Sequence, residues 1–301
     1  MPTLIVPLEY DRTKPQPHGV SELVLPWARA LAQRTGASVQ LVSVLEVPVG
    51  LKSLREQALL QALLEDWRAE CRAYLEEIAR SFPTERPVGI LVEEGDPAAI
   101  LVRSARAVPD PLIVMAAHAR AGWRRLLLGS VTAQVIASGV APVFVVPAHV
   151  APREPVPVLD RVLVPLDGSR LAEGALDLLP LLGSEGWEVV LLHVREGRPR
   201  RIEVDVPGDD PAVYLAEVAE HLRAQGYRVE RLVIDGRPAQ AIVEVARERA
   251  VDLIAMVTHG WSGMRDVLMG STAEQVLAHA PTPVLVRRPV PLTPPSDTAP
   301  S

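Results

Sequence analysis

The sequence is poor in several residue types, and each scarcity excludes a class of protein. Its single cysteine among 301 residues, Cys71, excludes an internal disulfide framework and a metal site built from cysteines, and it fits a reducing compartment. Lysine occurs only at Lys14 and Lys52, and neither belongs to a GxxxxGK(S/T) phosphate loop. No apolar run is long enough to span a membrane, and the chain starts without a basic, apolar leader. We therefore expect a cytoplasmic protein with no membrane partner.

A strong excess of positive charge is missing as well. The chain carries 31 Lys and Arg residues against 37 Asp and Glu residues, a formal net charge of -6. It therefore offers no basic face to a nucleic acid backbone, and we expect no nucleic acid partner. What the chain has in abundance is apolar residues, which make up 48% of the total. That content, at this length, suits two globular domains of ordinary size.

The chain contains one pattern twice. Matched pairs 141 residues apart are Gly129 with Gly270, Ser130 with Ser271, and Pro142 with Pro283. A period this long indicates a duplicated domain rather than a solenoid, whose repeats run about 20 to 50 residues. We therefore predict one domain over residues 1–150, a second over 158–289, and a disordered, proline-rich tail over 290–301.

Each half alternates short apolar strands with helices. The run Arg161–Pro165 is almost uniformly apolar, as expected for a strand buried on both faces of a parallel sheet. Predicted strands are 3–8, 39–46, 88–93, 112–116 and 143–147 in the first half and 161–165, 188–194, 228–234, 253–257 and 283–287 in the second. Predicted helices of the second half are 170–183, 209–226, 238–250 and 271–280. This alternation, with right-handed crossovers, predicts an α/β fold of two doubly wound, parallel, five-stranded sheets in tandem.

The two halves differ in length near their starts. The first half has about eight extra residues in its first loop, around 10–18, and about ten more before Tyr74. The second insertion lengthens the second helix or the segment that enters it. A proline-rich spacer over 148–157, which we expect to be extended and semi-rigid, joins the halves.

Each half ends in an apolar strand, 143–146 in the first and 284–287 in the second. An unpaired edge strand of this kind is an aggregation hazard and needs a partner. The short spacer raises the effective concentration of one strand near the other to roughly millimolar. We therefore predict that these strands pair within the chain, and that any homodimer uses other surfaces, such as the long helix around 51–79.

The loops after strands one, two and four of the second half contain the candidate site. In a doubly wound sheet the ligand lies beyond the carboxyl ends of the strands, where the strand order reverses. The sequence Gly270-Ser271 closes one of these loops and opens a helix, so free N–H groups, the helix dipole and a hydroxyl can all meet an anion. Asp167, after strand one, can accept hydrogen bonds from ribose hydroxyls or hold a divalent ion beside phosphates.

These motifs resemble those of the universal stress protein family in its tandem two-domain form. The resemblance rests on Gly260, nine residues, and Gly270-Ser271, preceded by Val-Pro-x-Asp-Gly-Ser and Leu-Leu-His-Val and followed by Pro-Val-Leu-Val. It implies an adenine nucleotide α-hydrolase-like fold with strand order 3-2-1-4-5, and ATP as ligand, with Mg²⁺ held through Asp167. The nucleotide-binding residues that it implies are Pro165, Asp167, Val194, Val257, Gly260, Gly270, Ser271 and Thr272.

The chain departs from the family motif Gly-x2-Gly-x9-Gly-Ser/Thr at several positions. In the second half, Val257 replaces the first glycine, and a β-branched side chain there would crowd a phosphate. The first half departs further, since Ala116 and Ala119 replace both leading glycines and Glu9 replaces the strand-one Asp. Its weaker candidates are Val44, Gly129 and Ser130, and we predict that it has weakened or lost ATP binding.

Three function classes follow from these residues. The favoured one is a stress protein that binds an adenine nucleotide in its second half and signals by conformation or partner choice. The second is a slow ATP hydrolase, for which His259 is the one obvious general base. The third is an interaction module without nucleotide, in which Gly270-Ser271 only turns the chain and caps a helix.

Overall fold

The computed structural model describes residues 1–10, 19–46, 57–117, 128–150, 158–183, 186–196, 202–204, 210–258 and 269–289. The predictions made for most of the first insertion, for most of the spacer and for the tail lie outside these residues. Ala119, His259 and Gly260 lie outside them as well.

The first repeat consists of β1 to β5 with the helices between them. Its strands are β1 (Thr3–Pro7), β2 (Ser38–Leu45), β3 (Gly89–Glu94), β4 (Pro111–Ala117) and β5 (Val143–Pro147). Its helices are a 3-10 helix (Val20–Val24), α1 (Leu25–Thr35), α2 (Gln57–Ala79), α3 (Pro97–Arg106) and α4 (Ser130–Ser138).

The second repeat consists of β6 to β11 with their helices. Its strands are β6 (Arg161–Pro165), β7 (Glu188–Arg195), β8 (Ile202–Val204), β9 (Arg228–Asp235), β10 (Leu253–Val257) and β11 (Val284–Arg287). Its helices are α5 (Arg170–Glu173), a 3-10 helix (Leu176–Leu182), α6 (Asp210–Ala224), α7 (Pro238–Glu248) and α8 (Ser271–His279).

Within the described residues, all eleven strands form one sheet in the order β3-β2-β1-β4-β5-β11-β10-β6-β7-β9-β8. Each repeat therefore has the strand order 3-2-1-4-5 in parallel, which confirms the predicted fold class. The sequence did not predict β8, a three-residue strand that pairs antiparallel with β9 at the outer edge of the second repeat.

The two repeats meet where β5 and β11 pair antiparallel, with Val145 opposite Val284 and Phe144 opposite Leu285. We call this junction the seam. A side chain closes it at each end. His149 Nε2 is 2.8 Å from the carbonyl oxygen of Ala280, at the end of α8, and Arg288 donates to the carbonyl of Ala137 in the last turn of α4.

Helices cover both faces of the sheet, and each face has an apolar core that extends through both repeats. Alternate residues of a strand point to opposite faces. Accordingly, Val162 and Val164 of β6 belong to one core, whereas Leu163 between them belongs to the other. This double burial explains why central strands such as β6 are almost uniformly apolar.

The helix predicted over 170–183 is wrong as a single α-helix. The structure has only the short α5 there, followed at Leu176 by a 3-10 helix that contains Pro180. Gly174 lowers helix propensity at the end of α5, and Pro180 has no N–H to donate to an α-helical hydrogen bond. The remaining turns still bury Leu178 and Leu182 against the sheet.

The ten extra residues before Tyr74 lengthen the second helix. Helix α2 has 23 residues, whereas its counterpart α6 has 15. None of the helices that the structure describes combines the length and the apolar character needed to cross a membrane.

Candidate functional site

A crevice of about 490 Å³ opens at the carboxyl ends of β6, β7 and β10, and we call it the second crevice. Strand β6 lies between β7 and β10. The strands that follow it first add on the β7 side, and β10 and β11 then add on the other side, so the strand order reverses at β6. The crevice therefore lies at the switch point of the strand order, where α/β sheets bind ligands.

The second crevice brings together seven of the eight residues predicted for the second half. They are Pro165, Asp167, Val194, Val257, Gly270, Ser271 and Thr272. The eighth, Gly260, lies outside the described residues. Residues distant in sequence by more than one hundred positions therefore share one wall.

The carboxylate of Asp167 is fixed by the turn that follows β6. Its Oδ1 accepts hydrogen bonds from the backbone N–H of Ser169 at 2.9 Å and from the Ser169 hydroxyl at 2.6 Å. The Ser169 hydroxyl in turn accepts the N–H of Ala172 at 3.1 Å and caps α5. Gly168 has φ +82°, in the left-handed region that favours glycine. These contacts orient a carboxylate at the crevice wall before any ligand arrives.

The first turn of α8 forms a second part of the wall. Gly270 is its N-cap and has an extended backbone, with no side-chain cap. The N–H of Gly270 donates to the carbonyl of Thr258 at 2.7 Å, and the N–H of Thr258 donates to the carbonyl of Arg287 at 2.9 Å. The start of α8 is thus held to the ends of β10 and β11. Its first-turn N–H groups and the hydroxyls of Ser271 and Thr272 can meet an anion.

Val257, which replaces a motif glycine, is accommodated by packing. Its side chain is 7% exposed and belongs to the core beneath α5. One of its methyl groups is 3.5 Å from the position that a Cβ on Gly174 would take. The valine therefore packs against a glycine on the neighbouring segment, and the crevice beside it stays open.

Tyr214 of α6 lies beside the site, near two carboxylates. Burial raises the pKa of its hydroxyl, followed by the nearby negative charges of Glu173 and Asp167. In the described structure the hydroxyl oxygen is buried without a hydrogen bond of ordinary geometry. The group stays protonated and adds no charge to the site.

Several wall residues were not among the predicted ones. They include Glu196, Pro238, Ile242 and Met256. Glu196 is the first residue after β7, and Pro238 is the first of α7. A signal was available for Glu196 and Pro238, because they lie at a strand end and a helix start that face the switch point.

The first repeat has an equivalent cavity of about 290 Å³, which we call the first crevice. Its wall contains the three predicted residues Val44, Gly129 and Ser130. Counted by the repeat register, the residues that line it have counterparts in the wall of the second crevice, with the exception of Ser21. Glu9 occupies the position of Asp167, and its backbone N–H donates to the Ser21 hydroxyl at 2.9 Å.

Comparison with known proteins agrees with the repeat. The model of the universal stress protein family matches residues 18–147 and again 159–288. A universal stress protein of Methanocaldococcus jannaschii is 29% identical over 150 residues, which are 42% of this chain and 93% of that protein. One from Mycobacterium tuberculosis is 30% identical over 188 residues, 59% of this chain and 61% of that protein.

Among solved structures, the chain is similar to a universal stress protein from Archaeoglobus fulgidus. The TM-score is 0.69, with 95% of this chain and 98% of that chain covered. Sequence identity is 22%, so this likeness shows the fold alone.

Proposed function

This chain belongs to the universal stress protein family, and on that premise we propose that it binds ATP, with Mg²⁺, in the second crevice. We also propose that it acts in a stress response through the conformation or protein contacts that bound nucleotide favours, rather than through turnover. In this proposal residues 1–150 and 158–289 form two domains of unequal nucleotide affinity, paired through the seam.

The observation that carries the proposal is the meeting of a carboxylate, an apolar wall and a helix start in one crevice. Asp167 is held by the turn after β6, and the first turn of α8 lines the same cavity. Val194, Ile242 and Met256 supply apolar surface between them. A nucleotide has groups that complement these three features. They are a planar base, a sugar with hydroxyl groups and an anionic phosphate chain.

Each part of the ligand has a complementary part of the wall. The apolar side chains remove the faces of the base from water. The Asp167 carboxylate accepts hydrogen bonds from sugar hydroxyls, and such charge-assisted bonds are stronger than neutral ones. The phosphates lie at the start of α8, where N–H groups, the Ser271 and Thr272 hydroxyls and the helix dipole all favour negative charge.

Mg²⁺ fits this donor set in a particular way. Among the described residues, no group of three His, Cys, Asp or Glu side chains is placed to hold a metal. Asp167 and Glu196 do line the same crevice, and Mg²⁺ is commonly bound by one or two carboxylates together with substrate phosphates and water. In the proposal the ion arrives with the nucleotide, and Asp167 holds it.

The test begins with protein that is purified without added nucleotide. Freshly purified protein is denatured, and the released small molecules are identified by mass spectrometry. Titration calorimetry with Mg-ATP and equilibrium dialysis then give the affinity and the number of sites. We expect an adenine nucleotide in the extract and about one tight site per chain. Absence of binding at millimolar ATP would exclude the proposal, and two sites of equal affinity would exclude the asymmetry.

A turnover assay separates binding from catalysis. We expect ADP release from Mg-ATP to be negligible on the time scale of binding and dissociation. Sustained ADP release that is lost together with binding would instead identify the protein as an ATP hydrolase.

A further inference from the structure

The first crevice is an intact cavity in a repeat whose motif glycines are missing. Its apolar wall matches that of the second crevice position by position. Matched pairs are Leu8 with Leu166, Val44 with Val194, Leu101 with Ile242, and Met115 with Met256. A wall of the same shape and chemistry can cover the same kind of planar apolar group.

The two crevices differ at the start of helix four. The second residue of α8 is Thr272, whereas the second residue of α4 is Val131, so one hydroxyl is lost from the wall. The hydroxyl of Thr132 does not replace it, because this side chain is 2% exposed and its hydroxyl is directed toward the carbonyl of Ala116 at 3.5 Å. An anion in the first crevice would therefore find fewer donors.

The first crevice is also smaller. Its volume is about three fifths of that of the second, 290 against 490 Å³. Ser21, 6% exposed, adds a buried hydroxyl to its wall. Its carboxylates, Glu9 and Glu46, match Asp167 and Glu196 of the second crevice, so the difference in phosphate binding comes from the space available and from the donors at the start of helix four.

The carboxylate of Glu9 is held differently from that of Asp167. Its Oε2 is 2.9 Å from the position that a Cβ on Gly19 would take, so it lies against the residue that precedes the 3-10 helix. Any side chain at position 19 would displace it. The carboxylate of Glu9 therefore lies against Gly19, whereas that of Asp167 is held by its own turn through Ser169.

We propose that the first crevice binds an uncharged nucleoside and discriminates against its phosphorylated forms. The proposal rests on the proposed function for the identity of the base, which is carried over from the matched apolar wall. The smaller volume and the hydroxyl lost at Val131 set the discrimination. One chain then binds the phosphorylated and the phosphate-free ligand in separate places and responds to their ratio.

The test uses adenosine and Mg-ATP as probes on the full-length chain. Val194→Trp fills the second crevice, and Val44→Trp fills the first at the matched position. We expect Val194→Trp protein to bind one adenosine per chain, and to bind Mg-ATP at least about tenfold more weakly than adenosine. We expect the double variant to bind neither. Circular dichroism checks that each variant is folded, and Val194→Phe with Val44→Phe replaces the tryptophan variants if these are not.

The outcomes separate this inference from the proposed function. If the variant with a blocked second crevice binds no adenosine, or binds Mg-ATP as tightly as adenosine, the inference is overturned. If adenosine binding survives the addition of Val44→Trp, it is overturned too. The proposed function is judged separately, since it fails when wild-type protein binds no Mg-ATP or when blocking the second crevice leaves Mg-ATP binding unchanged.

Discussion

The first and second crevices match along the wall that would cover a base and differ where sugar and phosphate groups would lie. The differing positions include Glu9 against Asp167, Ala116 against Val257, Val131 against Thr272, and Thr132 against Ala273. All of them are at a strand end or in the first helical turns. The two repeats therefore share the same strands and helices, and they differ in the residues at the ends of these elements.

This comparison teaches where selectivity resides in such a fold. The strands are buried on both faces, so substitutions there disturb packing before they alter ligand choice. Residues beyond the strand ends contact the ligand and carry less of the core. A few changes there redirect a crevice without destabilising its repeat.

The largest expected effect comes from separating the repeats, so that each crevice can be studied without its neighbour. Val145 and Leu285 are fully buried at the seam. Changing both to aspartate buries one charge in each of the two apolar cores, because Val145 and Leu285 face opposite sides of the sheet, and this costs several kcal/mol. We expect the repeats to loosen and expose apolar surface while both sheets persist. Scattering should report a larger radius of gyration and dye binding should rise, with little change in far-ultraviolet circular dichroism.

The matched control is Val145→Ile with Leu285→Met, which keeps the seam apolar and should preserve compactness. A charged variant as compact as the wild type would show that the repeats do not depend on the seam. Cross-links that place 143–146 far from 284–287 would contradict the pairing itself.

The second effect, on ligand affinity, comes from a single glycine in each crevice. Gly270→Val puts a branched side chain where a phosphate must approach the backbone closely. The backbone at Gly270, with φ -67° and ψ 148°, is one that valine adopts readily, so the fold should tolerate it. We expect Mg-ATP affinity to fall at least about a hundredfold, or about 2.7 kcal/mol, in calorimetry.

Gly129→Val is the matched control in the first crevice. It should leave the tight Mg-ATP site unchanged, since Gly129 lines only the other cavity among the described residues. If both substitutions lowered Mg-ATP affinity equally, the two crevices would be equivalent, and the proposed asymmetry would be wrong.

Much of this architecture could be predicted from the sequence, because its determinants are local. Apolar runs such as Arg161–Pro165 define strands that are buried on both faces, and the recurrence of Gly-Ser before a helix reveals the duplication. The helix predicted over 170–183 is wrong in type because its apolar spacing fits an α-helix as well as a 3-10 helix. Apolar spacing alone does not show how the packed segment accommodates Pro180. The strand β8 escaped prediction because three residues carry no periodic signal.

The site was predictable in its loops and less so in its walls. Asp167 and Gly270-Ser271 are conspicuous in the sequence because they punctuate strands and helices. Ile242 and Met256 look like ordinary core residues, and only the crossing of elements at the switch point brings them to the crevice. The packing of Val257 on Gly174 is also beyond sequence reasoning, because it joins segments more than eighty residues apart.

The third effect sharpens the comparison at the strand-one carboxylates. Asp167→Asn keeps the size of the side chain and removes its charge, so hydrogen bonds from sugar hydroxyls weaken and a cation is held less firmly. We expect Mg-ATP affinity to fall by about ten- to a hundredfold, because hydrogen bonds to charged groups contribute about 1.5–3 kcal/mol. Glu9→Gln, its counterpart, should not change Mg-ATP affinity. If Asp167→Asn binds as the wild type does, the carboxylate has no part in the site.

The smallest effect distinguishes the two repeats through matched tyrosines on α2 and α6. The hydroxyl of Tyr74 donates to the Glu22 carboxylate at 2.7 Å, whereas the buried hydroxyl of Tyr214 has no hydrogen bond of ordinary geometry in the described structure. Tyr74→Phe should therefore lower the free energy of unfolding by about 1.5 kcal/mol. Tyr214→Phe should change it by less than about 0.5 kcal/mol.

The pH dependence of stability provides a second test of these two tyrosines. Burial, followed by neighbouring carboxylates, raises the pKa of both tyrosines in the folded protein. The folded protein therefore favours the neutral, protonated form of each tyrosine. Below the tyrosine pKa of the unfolded chain, about 10, this contribution to the free energy of unfolding is complete, and it is lost as the pH rises above that value. Denaturant unfolding followed from pH 8 to pH 11 should thus show stability falling above pH 10, less steeply in either phenylalanine variant. Identical pH dependence in wild type and both variants would mean that these hydroxyls are not held protonated by the fold.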